Sequence, residues 1–145
     1  MNDRQREFLI SLDANKTRHS GRTLFEHLKG VHDLLRDWDN NSHVCLAGLF
    51  HSIYGTSTFK HQSLDDRGRL KAMIGDYAEF LVHCFSTRDR PLFASIEDPK
   101  VRAHLMEIEA ANLLEQGSSG ASLRKLSRAK GLSNGAKAAL AGEVV

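Results

Sequence analysis

Apolar residues in this sequence recur every three or four positions, and this helical period constrains the fold more than any other feature. In the stretch "REFLISLD", Phe8, Leu9 and Leu12 fall on one face of a helix. β-branched residues do not form the alternating apolar and polar runs that are typical of strands. Proline, which breaks helices, occurs only at Pro91 and Pro99. The sequence therefore predicts an all-α fold.

Cap residues and glycines divide the helical pattern into separate elements. Thr23, with Glu26 three residues later, has the spacing of a capping box. The other expected helix starts are Ser42, Ser63 and the Asp98-Pro99 pair, and the expected ends include Gly75 and Gly117. The predicted helices cover about residues 3–13, 23–38, 42–54, 63–75, 76–86 and 99–117, with "ANKTRHSGR" as a loop and one or two short helices after residue 120.

The predicted organisation is one helical domain followed by a short tail. Residues 1–117 would form a bundle of five to six core helices, and "GSSGAS" has the composition of a hinge. Residues 118–145 would carry short helices that are docked or flexible. The tail has a basic cluster, which we interpret as the solvent-facing side of a helix whose leucines pack on the body: Arg124, Lys125, Arg128 and Lys130.

Composition excludes several classes of function. The 145 residues carry 20 basic and 18 acidic side chains, and a net charge of +2 gives no basic footprint for nucleic acid. No apolar run reaches the roughly 18–20 residues that span a bilayer, and the N-terminus lacks the pattern of a secretory signal. Cys45 and Cys84 lie in apolar helical patterns and are interpreted as reduced core residues. We expect a cytoplasmic protein without a membrane partner.

Three predicted helices each place a polar side chain on the face that should point inward. His27 lies in line with Leu24 and Val31, His51 with Ala47 and Gly48, and Asn112 with Leu105 and Ile108. Buried polar groups need partners, and these three can be partners for one another. Further candidates lie nearby in the sequence: Arg18, His19 and Arg22 before His27, and Ser52, Tyr54 and Thr56 after His51. The pattern indicates either a metal or substrate site or a set of ordinary core histidines. The remaining histidines are interpreted as surface or ordinary core residues, with His32 and His43 on polar faces and His104 exposed.

The order and spacing of these residues resemble the HD superfamily of metal-dependent phosphohydrolases, most of all the hydrolase domain of stringent-response (p)ppGpp synthetase/hydrolases. That family has R-x-S-G-x-x-Y-x-x-H before its first metal histidine, and "RHSGRTLFEH" keeps Arg18, the Ser20-Gly21 pair and His27. The family's His-Asp pair corresponds to His51 and Ser52 in "LAGLFHS", and "MIGDYAEFLV" is similar to its F-G-x-x-V-A-x-L-V run. The resemblance covers about residues 5–117 and implies an HD-domain-like bundle.

The resemblance also implies a metal site, which this sequence keeps only in part. Family members bind a divalent ion through two histidines and two aspartates, and His27 and His51 stand at the two histidine positions. Ser52 and Asn112 stand at the aspartate positions, so two negative charges are missing. A Mn, Fe or Zn ion would therefore be bound more weakly. The family's water-activating Glu-Asp pair falls on Gly55 and Thr56.

Several functions fit this pattern. The preferred one is a small-molecule hydrolase acting on a phosphorylated or nucleotide-like substrate. In this hydrolase, His27, His51 and Tyr54 would be catalytic. The two histidines would also hold the metal, with His19 or Glu109 as a third ligand. The residues that would bind the substrate are Arg18, His19, Arg22, Ser52, Thr56 and Asn112. The alternatives are a metal-free acid/base enzyme, a non-catalytic ligand-binding domain that has lost the metal site, and a purely structural cluster in an interaction module. Self-association is compatible with each of them.

Overall fold

Short helices make up most of the chain in the computed structural model, which describes residues 1–19, 21–55, 64–118 and 120–144. The all-α prediction is confirmed, since the only strands among the described residues form one antiparallel hairpin, β1 (Arg18–His19) with β2 (Arg22–Thr23). None of the described helices combines the length and apolar character needed to cross a bilayer. The helices are α1 (Asp3–Ser11), α2 (Leu24–Asp37), α3 (Ser42–Leu49), α4 (Arg67–Ile74), α5 (Asp76–Thr87), α6 (Pro99–Glu115), α7 (Ala121–Ser127) and α8 (Asn134–Val144).

Side-chain caps explain where the two longest helices begin. The Thr23 hydroxyl accepts the Glu26 N–H at 3.1 Å, and the Glu26 carboxylate accepts the Thr23 N–H at 3.2 Å. At the start of α6, Asp98 accepts the N–H of Lys100 at 2.8 Å, and Pro99 occupies the first turn. Both predicted starts are confirmed. The caps are favourable there because each one accepts hydrogen bonds from N–H groups that have no partner within the helix.

The predicted start of α3 at Ser42 is confirmed, but its cap and its C-terminal end are predicted wrongly. Its cap is Asn41 rather than Ser42, because the Asn41 side chain accepts the Val44 N–H at 3.0 Å. The helix also ends at Leu49 instead of continuing to Tyr54. Residues 50–54 form turns, which change the directions of the side chains that follow the helix.

Other local predictions also need correction. α4 starts after an Asp66 cap, and the expected cap Ser63 lies outside the described residues. The predicted loop before α2 contains the β1–β2 hairpin. His32 is buried rather than exposed on a polar face, and His104 is half-buried with its Nδ1 2.7 Å from the Tyr77 hydroxyl. A helix that packs against several neighbours buries more than its apolar stripe, so polar side chains beside that stripe can also be buried.

The core is organised around α2, which packs against both α3 and α6. Gly48 of α3 lies directly against Leu35 and Val31 of α2, and a Cβ at this position would overlap the Leu35 side chain. The absence of a side chain therefore allows α3 to approach α2 closely. This packing brings the first turn of α2, the turn after α3 and the second half of α6 to one place.

The two C-terminal helices are docked on the body. Leu123 and Leu126 of α7 are buried in the same core as the rest of the chain, as are Leu132, Ala136 and Leu140. The buried Glu107 of α6 accepts the Asn40 side chain at 3.0 Å and the Ser133 N–H at 3.1 Å. A carboxylate inside the body thus holds the start of α8. The basic side chains of the tail face solvent.

Candidate functional site

His27, His51 and Asn112 meet in the interior of the protein. His27 belongs to α2, His51 to the turn after α3 and Asn112 to α6, and their exposed fractions are 0%, 2% and 5%. The Asn112 Oδ1 atom lies 2.9 Å from His27 Nε2 and 3.1 Å from His51 Nε2. The three inward-facing residues of the sequence therefore contact one another, and we call them the central cluster.

Hydrogen bonds to acceptor-only groups determine which nitrogen of each histidine carries the proton. His51 Nδ1 lies 2.8 Å from the carbonyl oxygen of Gly48, and a carbonyl can only accept. His27 Nδ1 lies 2.7 Å from Glu115 Oε1, which also accepts from the Arg22 guanidinium. Both rings therefore donate from Nδ1, and in the neutral form of each ring the Nε2 atom carries a lone pair.

The orientation of the Asn112 amide is also determined by its surroundings. Its Nδ2 donates to Glu109 Oε1 at 2.9 Å. Glu109 is held in turn by Arg90, whose Nε and Nη2 atoms donate to the two carboxylate oxygens at 2.6 and 3.0 Å. Because the arginine-paired carboxylate accepts hydrogen bonds, the amide nitrogen must point to Glu109 and Oδ1 must point to the histidines.

When both rings are neutral, three electron-pair donors therefore face one another with no donor hydrogen between them. Adding protons to both rings would satisfy the geometry, but it would place two positive charges in the interior. Burial, and after it the nearby His27, lower the pKa of His51 to about 3. A single cation at the meeting point would satisfy all three atoms at once.

The central cluster fits the donor set of a transition-metal ion. Ligands held about 2.0–2.2 Å from one ion lie roughly 3 Å apart, as the Nε2 and Oδ1 atoms do here. Two imidazoles and an amide oxygen suit zinc or iron better than magnesium or calcium. Within the described part of the chain no group of three or more His, Cys, Asp or Glu side chains could hold a metal, so the amide of Asn112 is essential to this fit.

A second layer of side chains surrounds the His27 side of the cluster. The ring of His19, from the hairpin, stacks on the His27 ring with centroids 4.1 Å apart. Burial and then His27 lower the pKa of His19 to about 4. Glu115 reaches His27 past Gly30 of α2, where a Cβ would lie 2.5 Å from Glu115 Oε2. Because residue 30 is a glycine, the Glu115 carboxylate can lie beside the His27 ring.

The other predicted site residues have different surroundings. The Tyr54 hydroxyl donates to Glu79 Oε2 at 2.9 Å, in a separate network with Arg67, so it is not part of the central cluster. Arg18 is exposed and donates to the Gly21 carbonyl at 3.0 Å. Ser52 is 2% exposed, and its hydroxyl has no hydrogen-bond partner among the described residues. Thr56 and Ser20 lie outside the described residues.

Three further residues support the cluster and are not among the predicted site residues: Glu115, Arg90 and Gly30. Glu109, Asn112 and Glu115 are spaced three residues apart, which places them along one side of α6, and this spacing is a signal that was available in the sequence. Arg90 follows α5 in an irregular segment, where no periodic pattern indicates the direction of a side chain.

These observations define the class of the protein as a helical domain with a buried His–His–Asn cluster. Residues 8–90 match a family described as a domain of unknown function, DUF6817, and the chain belongs to this family. The matched segment includes His19, His27 and His51 and ends before Asn112. No curated protein and no solved structure matches the chain.

Proposed function

We propose that this chain is an HD-like hydrolase that holds one divalent transition-metal ion and acts on a phosphorylated or nucleotide-like small molecule. One observation carries the proposal: His27 Nε2 and His51 Nε2 converge on Asn112 Oδ1, while an acceptor lies beside the Nδ1 atom of each ring. The sequence resemblance to the HD superfamily supports it independently, because the same three positions correspond to metal ligands of that superfamily.

Zinc or iron(II) is the ion that the donors favour. Manganese prefers oxygen ligands, and the central cluster offers two nitrogens and one neutral oxygen. All three donors are neutral, and the two carboxylates that contact them are already paired, Glu109 with Arg90 and Glu115 with Arg22. The contribution of these carboxylates is therefore to orient the ligands. Each accepts a hydrogen bond from a donor residue of the cluster, which orients that residue and strengthens it as a ligand.

The hairpin beside His27 supplies the groups that would bind the substrate. Arg18 is exposed, and Arg22 is partly exposed while it pairs with Glu115, so both guanidinium groups can reach phosphate oxygens. His19 lies between them in sequence and against His27 in space. A metal held by His27, His51 and Asn112 would polarise a phosphoryl oxygen and activate water.

A non-catalytic domain that uses the same cluster is the second candidate. The observation that favours it is the identity of residues 52 and 112, both neutral where an HD hydrolase has aspartates, together with the nearly complete burial of the cluster. In that case the ion or a small polar ligand would be bound without turnover. We also propose a cytoplasmic location, since the two cysteines are free and buried.

An activity assay on metal-loaded protein separates these candidates. Protein loaded with zinc, iron(II) or manganese is incubated with phosphomonoesters and nucleotides, and released phosphate is measured. The proposal predicts turnover that disappears in His51→Ala and persists in His43→Ala, a matched change at an exposed histidine. Metal binding without turnover on any substrate would reject the hydrolase and favour the non-catalytic candidate.

A further inference from the structure

A polar cleft opens beside the outer end of the network that supports Asn112. Its volume is about 470 Å³, within the range of about 300–1,000 Å³ typical of small-molecule sites. Its walls come from the end of α5, the segment that follows, α6 and the start of α7. Glu109 contributes to the wall of the cleft and also accepts the hydrogen bond from Asn112.

Both acidic side chains of the cleft are committed to partners inside the protein. Asp89 accepts the N–H groups of Ala94 and Ser95 at 2.9 and 3.2 Å, which holds the following turn together. Glu109 is paired through both oxygens with Arg90. Arg90 therefore neutralises Glu109, whereas Asp89 keeps its negative charge while both of its oxygens are occupied by the N–H groups of the turn.

Arg88 contributes a guanidinium group to the wall of the cleft. Its side chain is exposed at the cleft, and it forms no ion pair with any residue that the structure describes. Ser122, at the start of α7, also lines the cleft, and its hydroxyl has no hydrogen-bond partner in the same described set. Arg90 adds a second guanidinium whose charge is shared with Glu109. Guanidinium and hydroxyl donors around an open space are the groups that bind phosphate oxygens.

We propose that this cleft binds the phosphate group of a small molecule, with Arg88 as the main contact and Ser122 and Arg90 as additional donors. The volume leaves room for an organic group beside the phosphate. The assignment of this cleft as part of the substrate site rests on the proposed hydrolase function, whereas the binding of phosphate itself does not.

Calorimetric titration of the full chain tests this proposal. The protein is kept in a chelator and at constant ionic strength, and it is titrated with inorganic phosphate and separately with adenosine monophosphate. We expect saturable binding that weakens at least about tenfold in Arg88→Gln, the size expected for the loss of a charge-assisted pair. Arg4→Gln, a matched change at an exposed arginine of α1, should leave the affinity unchanged.

Each outcome has a definite meaning. Tighter binding of adenosine monophosphate assigns the remaining space to the organic group, and equal affinities identify free phosphate as the ligand. Absence of saturable binding, or equal affinities of wild type and Arg88→Gln, would overturn the proposal. Because the titration contains no metal, a protein that binds phosphate through Arg88 but never binds metal would retain this inference and lose the proposed hydrolase function. A protein that binds metal and turns over substrate, but does not bind phosphate through Arg88, would lose only the assignment of this cleft.

Discussion

Replacing Asn112 with leucine distinguishes a metal site from a structural hydrogen-bond network. In metal-free protein, Asn112→Leu removes one hydrogen bond to Glu109, a loss of about 1.5–3 kcal/mol. The buried leucine contributes about 1.5–3 kcal/mol of apolar burial, and Glu109 keeps its two bonds to Arg90. We therefore expect the free energy of unfolding of the metal-free variant to stay within about 1 kcal/mol of wild type.

The response to metal should change much more. At a free metal concentration one hundred times its Kd, wild-type protein gains about 2.7 kcal/mol of stability. If the loss of one ligand reduces the affinity about a hundredfold, only about 0.4 kcal/mol remains. Urea denaturation with chelator and with zinc measures both quantities. Asn15→Leu is the matched control, because Asn15 is exposed in a turn and should leave both quantities unchanged.

The opposite pattern would refute this reasoning. If protons bridge the cluster, Asn112→Leu leaves buried imidazolium groups without their acceptor and costs more than about 3 kcal/mol in metal-free protein. Wild-type stability would then not respond to zinc. That result would identify His27, His51 and Asn112 as a structural network.

Three further predictions concern the fold around the cluster. Glu107→Ala should destabilise the protein by about 2–4 kcal/mol, because Ser133 loses its acceptor, and amide exchange in α8 should become faster. Gly48→Ala should cost about 1–3 kcal/mol in urea denaturation, since the added methyl group overlaps Leu35. In metal-free protein His51 has a pKa lowered by burial from 6.5 to about 3, so the unfolded chain binds a proton that the folded chain does not. Stability should fall between about pH 6.5 and 3 by about 1.4 kcal/mol per pH unit for this group, and His51→Gln should show a shallower dependence.

The central cluster was accessible from the sequence because each of its members lies in or next to a regular helix. His27 occupies the apolar stripe of α2, which must face the core. Asn112 lies in line with Leu105 and Ile108 on α6, where residues 105–112 are all buried. His51 follows the end of α3 closely enough that its inward position still holds. Inward-facing polar groups on packed helices have few partners other than one another.

Residues beyond the regular helices were harder to predict. Tyr54 was placed with His51 on the assumption of a continuous helix, but the turns after Leu49 direct its hydroxyl to Glu79. Arg90 comes from an irregular segment and reaches Glu109 through tertiary packing, which a helical period does not describe. The role of Gly30 depends on the approach of Glu115 from another helix, and a single sequence contains no measure of that distance.

Elemental analysis of freshly purified protein tests the central claim most directly. The account predicts roughly one zinc or iron ion per chain, as expected for a site with three protein donors. This metal should be absent from the His27→Ala/His51→Ala double variant and present in His43→Ala, which changes an exposed histidine. A protein that contains no metal, and that takes up none when zinc, iron(II) or manganese is supplied, would contradict the account.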